Sequence, residues 1–172
     1  MDKVHDQMSV LHVDPRRDSV RDESAHPPAL LDLEFLLGKW DVEPSDAPFL
    51  PSLDDRAHGQ VAFAWIVDTT LLVMRQSEQP GAPPSARWAI GRDSESGSDF
   101  KVLYSDTRGV VRISEMSFTE GIWRLWRDHP GISQRFESRV SPDRNKIFGH
   151  WEKSSHGDAW EHDFELIYRK IA

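Results

Sequence analysis

Two short segments frame the chain: Leu36-Leu37-Gly38-Lys39-Trp40 near its start and Trp160-Glu161-His162-Asp163-Phe164-Glu165-Leu166-Ile167-Tyr168-Arg169 near its end. In the second segment residues alternate, so that one face carries His162, Phe164, Leu166 and Tyr168. A period of two residues is typical of a strand with one buried face, because successive side chains point to opposite sides of a sheet. The segment therefore predicts a last β-strand with these four residues on its inward face.

Short strand-like stretches fill the region between the two segments. Clusters of Pro, Gly, Asp and Ser separate them, and no helix-length apolar pattern alternates with them. This spacing predicts an all-β fold, an antiparallel up-and-down closed barrel of about ten strands, since closure leaves no exposed strand edge. The predicted strands are residues 38–43, 59–67, 70–77, 85–91, 99–105, 109–117, 121–127, 132–140, 145–153 and 161–170.

The remaining segments complete the predicted organisation. Leucines at helical spacing within residues 28–37 predict a short N-terminal helix that leads into the first strand. Residues 1–28 are polar and charged, which predicts a flexible N-terminal tail before a barrel domain over residues 29–172. The proline-containing segment 44–58 is the longest internal loop, and we expect it to act as a lid over one mouth of the barrel.

Composition excludes several classes of function. The 172 residues include no cysteine and carry a formal net charge of −8. The lack of cysteine excludes disulfides and thiolate catalysis, and the acidic balance argues against a nucleic-acid surface, which needs a basic patch. No apolar run approaches the roughly 18 residues that span a bilayer, and no secretory leader is apparent. We therefore expect a cytoplasmic protein that contacts neither nucleic acid nor membrane.

Aromatic and polar residues on the predicted strands are candidates for a ligand site. Seven Trp and eight Phe suit the wall of a cavity for a planar or polyene ligand or, alternatively, a core filled by the protein's own rings. Polar residues on an inward face need a partner, which in a cavity is a ligand or water. The predicted ligand-binding residues are Trp65, Trp88, Tyr104, Arg124, Trp126, Gln134, Phe136 and Phe164.

Arginines within the predicted strands offer a further way to bind a ligand. They are Arg75, Arg87, Arg112 and Arg124. An arginine that points inward would bind a carboxylate or enolate through paired hydrogen bonds, whereas one that points outward would belong to a solvated face. Both alternatives stay open for each arginine at this point.

Two histidines near the end of the chain are candidates for acid–base chemistry. His150 and His162 lie on adjacent predicted strands, and imidazole exchanges protons near neutral pH. We predict both as catalytic residues, with a hydrogen-bonded position in the barrel wall as the alternative. His156 lies between them, but it stands in a turn beside Gly157, so we predict no metal site.

The framing segments resemble those of a known family. Leu36-Leu37-Gly38-Lys39-Trp40, Trp88-Ala89-Ile90-Gly91-Arg92-Asp93 and Gly149-His150-Trp151-Glu152-Lys153-Ser154, with the closing segment, are similar to uncharacterised bacterial lipocalin-like proteins of the domain-of-unknown-function kind over residues 30–170. The resemblance implies a calycin-type barrel with an internal cavity. It also implies a structural barrel floor that contains Gly38, Trp40 and Arg169, with the arginine stacked on an aromatic ring.

A more distant similarity is to nitrobindin, a ten-stranded barrel that holds haem through a histidine on its last strand. This similarity implies haem binding at His162. The chain departs from nitrobindin after Trp40, where Asp41-Val42-Glu43-Pro44 replaces the further glycines that make room for the porphyrin. We therefore predict no cofactor and keep haem as an alternative.

Three functions follow from this reasoning. The first is binding of a small hydrophobic molecule in the barrel interior. The second is a cofactor-independent cyclase or isomerase that acts on a polyketide-like or polyene substrate in the same cavity, an analogy with small barrel cyclases of bacterial natural-product pathways. The third is a haem-binding barrel. The expected partner is a small hydrophobic ligand or substrate, and a homodimer is the protein assembly that we consider.

Overall fold

The computed structural model describes residues 28–52, 54–66, 71–76, 85–93, 99–155, 157 and 159–171. Ten antiparallel strands form one closed barrel, in which each strand pairs with its neighbours in sequence and the last strand pairs with the first. The predicted all-β up-and-down barrel is confirmed. Except for Pro28, the predicted tail over residues 1–28 lies outside the described residues.

The elements follow one another in simple order. A one-turn helix, α1 (Pro28–Leu31), and a 3-10 turn (Glu34–Leu36) precede the first strand. The strands are β1 (Gly38–Ser45), β2 (Gly59–Trp65), β3 (Leu72–Gln76), β4 (Ala86–Arg92), β5 (Phe100–Asp106), β6 (Val111–Thr119), β7 (Ile122–Arg127), β8 (Ser133–Val140), β9 (Lys146–Ser154) and β10 (Glu161–Lys170). Within these ranges no helix is long and apolar enough to cross a membrane.

The seam of the barrel is the pairing of β1 with β10. It runs from Trp40 opposite Lys170 to Ser45 opposite Glu165, and its hydrogen bonds satisfy backbone groups that an open sheet would leave unpaired at two edges. Gly38 begins β1 with a φ of 104°, a backbone conformation that residues with a Cβ rarely adopt. A glycine is therefore needed where the chain turns from the N-terminal segment into β1 of the barrel wall.

Apolar side chains from the N-terminal segment close one end of the barrel, which we call the floor. Four of them are at most 2% exposed: Leu30, Leu33, Phe35 and Leu36. The Phe35 ring stacks on Phe118 with 4.3 Å between centroids, and the indole Nε1 of Trp40 donates a hydrogen bond of 2.7 Å to the Leu36 carbonyl oxygen. Burial of each large apolar side chain contributes about 1.5–3 kcal/mol to the stability of the fold. These four buried residues, which we call the plug, therefore stabilise the floor.

Inward-facing residues above the plug pack as a core. The fully buried Trp123 ring meets Phe136 edge-on at 5.4 Å between centroids. Gly149 lies beside them on β9, where an added Cβ would stand 2.5 Å from the Ser138 Cβ and 2.7 Å from the Phe136 ring. The glycine thus provides the space that the Phe136 ring occupies.

A β-bulge changes the direction of the first residues of β10. His162 lies opposite Glu152, whereas Phe164 lies opposite Trp151, so Asp163 is an additional residue in this strand. Phe164 and the inward residues after it face the interior, but His162 shares the outer face with Glu152. The prediction that His162 lies on the same inward face as Phe164 is therefore wrong, because the bulge interrupts the alternation.

Candidate functional site

The half of the barrel above the floor encloses a cavity of about 460 Å³. Sites for small molecules are typically roughly 300–1,000 Å³ in volume. All ten strands contribute lining residues, and the cavity opens at the end opposite the plug, which we call the mouth. The site is therefore built on the rigid part of the fold.

Aromatic rings form much of the cavity wall. Trp151 and Phe164 line it, and their rings stack with 6.1 Å between centroids. Behind Trp151 lies the core residue Phe136, with its ring centroid 5.2 Å away. At the mouth, Phe49 meets Phe164 edge-on at 5.4 Å. Phe49 belongs to the segment predicted as a lid, and with Ala57 of the same segment it borders the cavity.

Tyr168 places a hydroxyl at the deep end of the cavity. The residue is 5% exposed and lines the cavity, and its ring packs against Trp40 at 6.4 Å and Trp123 at 6.0 Å. Burial raises the pKa of its phenol well above the ordinary range. The hydroxyl forms no hydrogen bond with another of the described residues, and the residue borders the cavity.

Two indole nitrogens near Tyr168 also lack acceptors in the described part of the chain. They are the buried Nε1 atoms of Trp88 and Trp123, whose rings lie 6.3 Å apart. Buried donors without partners are uncommon in folded proteins, because each retains its desolvation cost. The wall near the floor therefore holds more hydrogen-bond donors than the protein itself satisfies.

Two arginines project into the cavity near its mouth. Arg112 donates a hydrogen bond of 3.0 Å to the Gln134 side-chain oxygen, and its guanidinium carbon lies 5.9 Å from the centre of the Tyr104 ring. Arg127 lies opposite Gln134 in the β7–β8 ladder and donates a longer hydrogen bond of 3.3 Å to the Ile132 carbonyl oxygen. Arg112, Arg127 and Gln134 all line the cavity.

A third arginine at the mouth is neutralised by a buried carboxylate. Arg108 contacts the Asp106 side chain at 2.6 Å, and the Asp106 side chain is fully buried. Hydrogen bonds from Arg108, from the Tyr104 hydroxyl at 2.8 Å and from the backbone nitrogen of Val110 hold the pKa of Asp106 well below its usual range. Burial, followed by the hydrogen bond to Asp106, raises the pKa of Tyr104.

Five of the predicted ligand-binding residues border the cavity: Trp88, Tyr104, Trp126, Gln134 and Phe164. Trp126 does so from a position opposite the outward-facing Arg135, and it also borders a groove on the outer face. The other three do not border the cavity. Trp65 packs against the core and Phe136 is buried within it, behind Trp151. Arg124 is on the outer face, where it pairs with Glu137 at 2.8 Å, because β7 directs Trp123 and Leu125 inward and Arg124 between them outward.

The predicted catalytic histidines lie on the outside of the barrel wall. The His150 imidazole is 43% exposed and 4.0 Å from Glu152, and the His162 imidazole is 42% exposed and 3.1 Å from Asp46. Neither histidine lines the cavity, so their predicted placement in the interior is corrected. Arg135 pairs with Glu152 from the neighbouring strand and lowers the pKa of that carboxyl. His150 therefore belongs to a group of charged side chains on the outer surface.

His162 does not fit the role of a haem ligand that the similarity to nitrobindin implies. Its side chain is on the opposite side of the wall from the cavity and pairs with Asp46. Among the described residues, His58 is the histidine that borders the cavity, and its side chain is 71% exposed at the mouth. His156 lies outside the described residues, and within the described ranges no three metal-ligating side chains converge.

The floor contains Gly38 and Trp40, but the contacts of Arg169 differ from the expected ones. Arg169 is on the outer face and pairs with Glu43 at 3.3 Å. The cation over an aromatic ring is instead Lys170, whose ammonium lies 5.2 Å from the centre of the Trp40 ring. The prediction assigned the stacked cation to the wrong one of two adjacent residues, because Lys170 and not Arg169 is opposite Trp40 across the seam.

Sequence reasoning missed Tyr168 as a ligand-binding residue, although it placed Tyr168 on the inward face. The available signal was its position on that face beyond Phe164 and Leu166, at the floor end of β10. Arg112 was one of four strand arginines with two open orientations, and no pattern in the sequence singled it out. In the structure, Arg112 is the arginine of that set that lines the cavity.

Comparison with solved structures shows a similar fold. The crystal structure of Rv2717c from M. tuberculosis matches the chain with a TM-score of 0.55 and 12% sequence identity, over 86% of this chain and 100% of that chain. The likeness supports the barrel fold and nothing finer. No protein-family model matches the chain, and no curated protein matches it.

Proposed function

We propose that the chain binds a small, largely apolar molecule inside the barrel. The observation that carries this proposal is the cavity of about 460 Å³ that Trp88, Trp151 and Phe164 border without filling. An apolar ligand in this cavity covers the apolar walls and removes its own surface from water, so both changes favour binding.

The hydroxyl of Tyr168 supports a ligand with one polar atom at its inner end. This hydroxyl borders the cavity, and the described residues do not use its hydrogen-bonding capacity. A carbonyl, ether or hydroxyl oxygen of the ligand would accept a hydrogen bond from it. This contact would orient an otherwise apolar molecule along the barrel axis.

A second candidate function is cofactor-independent cyclisation or isomerisation of a polyketide-like or polyene substrate. It is favoured by two polar groups that reach the cavity, the phenol of Tyr168 and the guanidinium of Arg112. The walls would hold the substrate in a reactive conformation, and the Tyr168 hydroxyl would stabilise negative charge that develops on a substrate oxygen. A change in the structure of a bound molecule at constant mass would distinguish catalysis from binding.

The proposal is tested by filling the cavity from one strand. Ser114 of β6 lines the cavity, whereas Ser117 of the same strand lies opposite the outward-facing Arg124. We expect Ser114→Phe to weaken binding of the neutral dye N-phenyl-1-naphthylamine about tenfold or more, and Ser117→Phe to leave it within about twofold. Circular dichroism melts of both variants check that they are folded.

Native mass spectrometry of protein purified from its own host provides an independent measurement. We expect a retained small molecule in the wild-type protein and none in Ser114→Phe. Dye binding that is equal in the wild type and in folded Ser114→Phe would contradict the proposal. A wild-type protein that binds no dye and carries no retained mass would contradict it as well.

A further inference from the structure

We infer that the bound molecule is an organic anion, and that its acidic group lies at the mouth of the cavity against Arg112 and Arg127. The inference rests on the proposed binding function and adds a chemical class to it. The ligand has an apolar body and, at one end, a carboxylate or comparable acidic group.

The charge of the lining is the first observation behind this inference. Three arginines line the cavity, namely Arg108, Arg112 and Arg127, and no Asp or Glu lines it among the residues that the structure describes. The whole chain, in contrast, has a formal net charge of −8. Among the described residues, positive charge is thus concentrated at the mouth of this cavity in an acidic protein, where it attracts anions and repels cations.

The pairing of these arginines is the second observation. Arg108 is neutralised by the buried carboxylate of Asp106 at 2.6 Å. Arg112 and Arg127 form no salt bridge with any carboxylate in the described ranges, and each donates a hydrogen bond to a neutral oxygen. A guanidinium has about five N–H donors in a planar fork, so the described residues leave most donors of these two side chains unused.

The positions of the two arginines fit a single acidic group. Gln134 accepts a hydrogen bond from Arg112 and is the ladder partner of Arg127, whose guanidinium donates to the carbonyl oxygen of Ile132, two residues before Gln134. The Tyr104 ring packs against Arg112 and limits the freedom of its side chain. Guanidinium forks bind carboxylates through paired, charge-assisted hydrogen bonds, which gives this contact specificity for an acid over its ester or amide.

The depth of the cavity sets the size of the ligand. Along β7, Trp123 contacts Tyr168 near the floor and Arg127 borders the mouth. Four residues of an antiparallel strand span about 13 Å. The acidic group and a polar atom on Tyr168 are therefore separated by about 10–13 Å of apolar body when the tilt of the strands is included.

Two dyes that differ in one acidic group test the inference. The anionic probe is 8-anilinonaphthalene-1-sulfonate, and the neutral probe is N-phenyl-1-naphthylamine, which has the same ring system without the sulfonate. We expect Arg112→Gln to weaken binding of the anionic dye about tenfold or more and Arg127→Gln several-fold, and both to leave the neutral dye within about twofold. Arg124→Gln, on the outer face, is the matched control and should change neither affinity.

The outcomes separate the class of ligand from the function itself. An affinity loss confined to the anionic dye and to the two mouth arginines supports the inference. If the neutral dye binds in the cavity and Arg112→Gln weakens the two dyes equally or not at all, the inference is overturned while the proposed function stands. If neither dye is displaced from the cavity by Ser114→Phe, the proposed function fails and the inference fails with it.

Discussion

Removal of the Tyr168 hydroxyl should stabilise the protein and weaken its ligand binding at the same time. Tyr168→Phe deletes one oxygen from a ring that is 5% exposed and leaves the ring contacts with Trp40 and Trp123 in place. The hydroxyl makes no hydrogen bond with any described residue. The substitution therefore removes a largely buried polar atom without breaking a hydrogen bond within the described residues.

The magnitude follows from the cost of a buried hydroxyl. Burial without a partner costs about 1–3 kcal/mol by protein substitution data. Because the hydroxyl borders the cavity and is not enclosed on every side, we expect a gain near the lower limit, about 1 kcal/mol. For a chain of this size, that change raises the melting temperature by about 2–4 °C. Loss of one hydrogen bond to the ligand should weaken binding about two- to tenfold.

Tyr104→Phe is the matched control, because it makes the same chemical change at the other tyrosine. The Tyr104 hydroxyl donates a hydrogen bond of 2.8 Å to the buried carboxylate of Asp106, so its removal should destabilise the protein by about 1 kcal/mol. Urea unfolding of both variants measures the two free energies, with the slope m unchanged. A loss of stability of about 1 kcal/mol or more in Tyr168→Phe would refute the reasoning, since it would mean that the hydroxyl is satisfied in solution.

Three further predictions concern packing and pH. Gly149→Ala should destabilise the protein by about 3 kcal/mol, because the new Cβ would stand 2.6 Å from the Glu137 carbonyl oxygen. Gly131→Ala, with its nearest contact at 3.6 Å, should change the free energy of unfolding by less than about 0.5 kcal/mol. Urea unfolding of both variants measures the difference. The pKa of Asp106 is depressed on folding, so its contribution to stability is present above the unfolded pKa of about 3.9 and is lost as the pH falls further; Asp106→Asn should lower the free energy of unfolding at pH ~7 and flatten its dependence below about pH 4. Both tyrosines have a raised pKa in the folded protein. The stability that comes from keeping their phenols neutral is therefore complete below about pH 10 and declines as the pH rises above it. Ultraviolet absorbance should detect phenolate only above that pH, and a tyrosine that ionises at lower pH would contradict its buried position.

The barrel could be predicted because strand patterns and turns are local. Each predicted strand corresponds to an observed one, and the bounds differ by a few residues at the ends. The N-terminal helix was less accurate: residues 28–37 contain one helical turn and a 3-10 turn, because tertiary packing of Leu30, Leu33 and Phe35 against the floor decides their conformation. Closure adds the pairing of β1 with β10 to the neighbour-to-neighbour order, and it removes the two edges that an open sheet would leave.

The orientation of individual side chains could not be predicted with the same success. Alternation assigns faces only along an uninterrupted strand, and one extra residue reverses every assignment on one side of it. Asp163 is such a residue, and it separates His162 from the cavity that Phe164 lines. Three consecutive polar residues, Glu161, His162 and Asp163, already depart from a period of two, which was the signal that the alternation does not extend to His162.

The first half of β6 has apolar residues on its outer face and polar residues on its inner face, which is the reverse of the usual pattern of a barrel strand. Val111 and Ile113 are 62% and 60% exposed on the outer face, while Arg112 and Ser114 line the cavity. Met116 and Phe118 fix the register from the floor end, so the apolar pair cannot turn inward without exposing the core. Burial energy alone would favour Val and Ile inside and Arg outside. A polar face at this cost beside an open cavity fits the proposed ligand site, and the residue placed there at the greatest cost is Arg112.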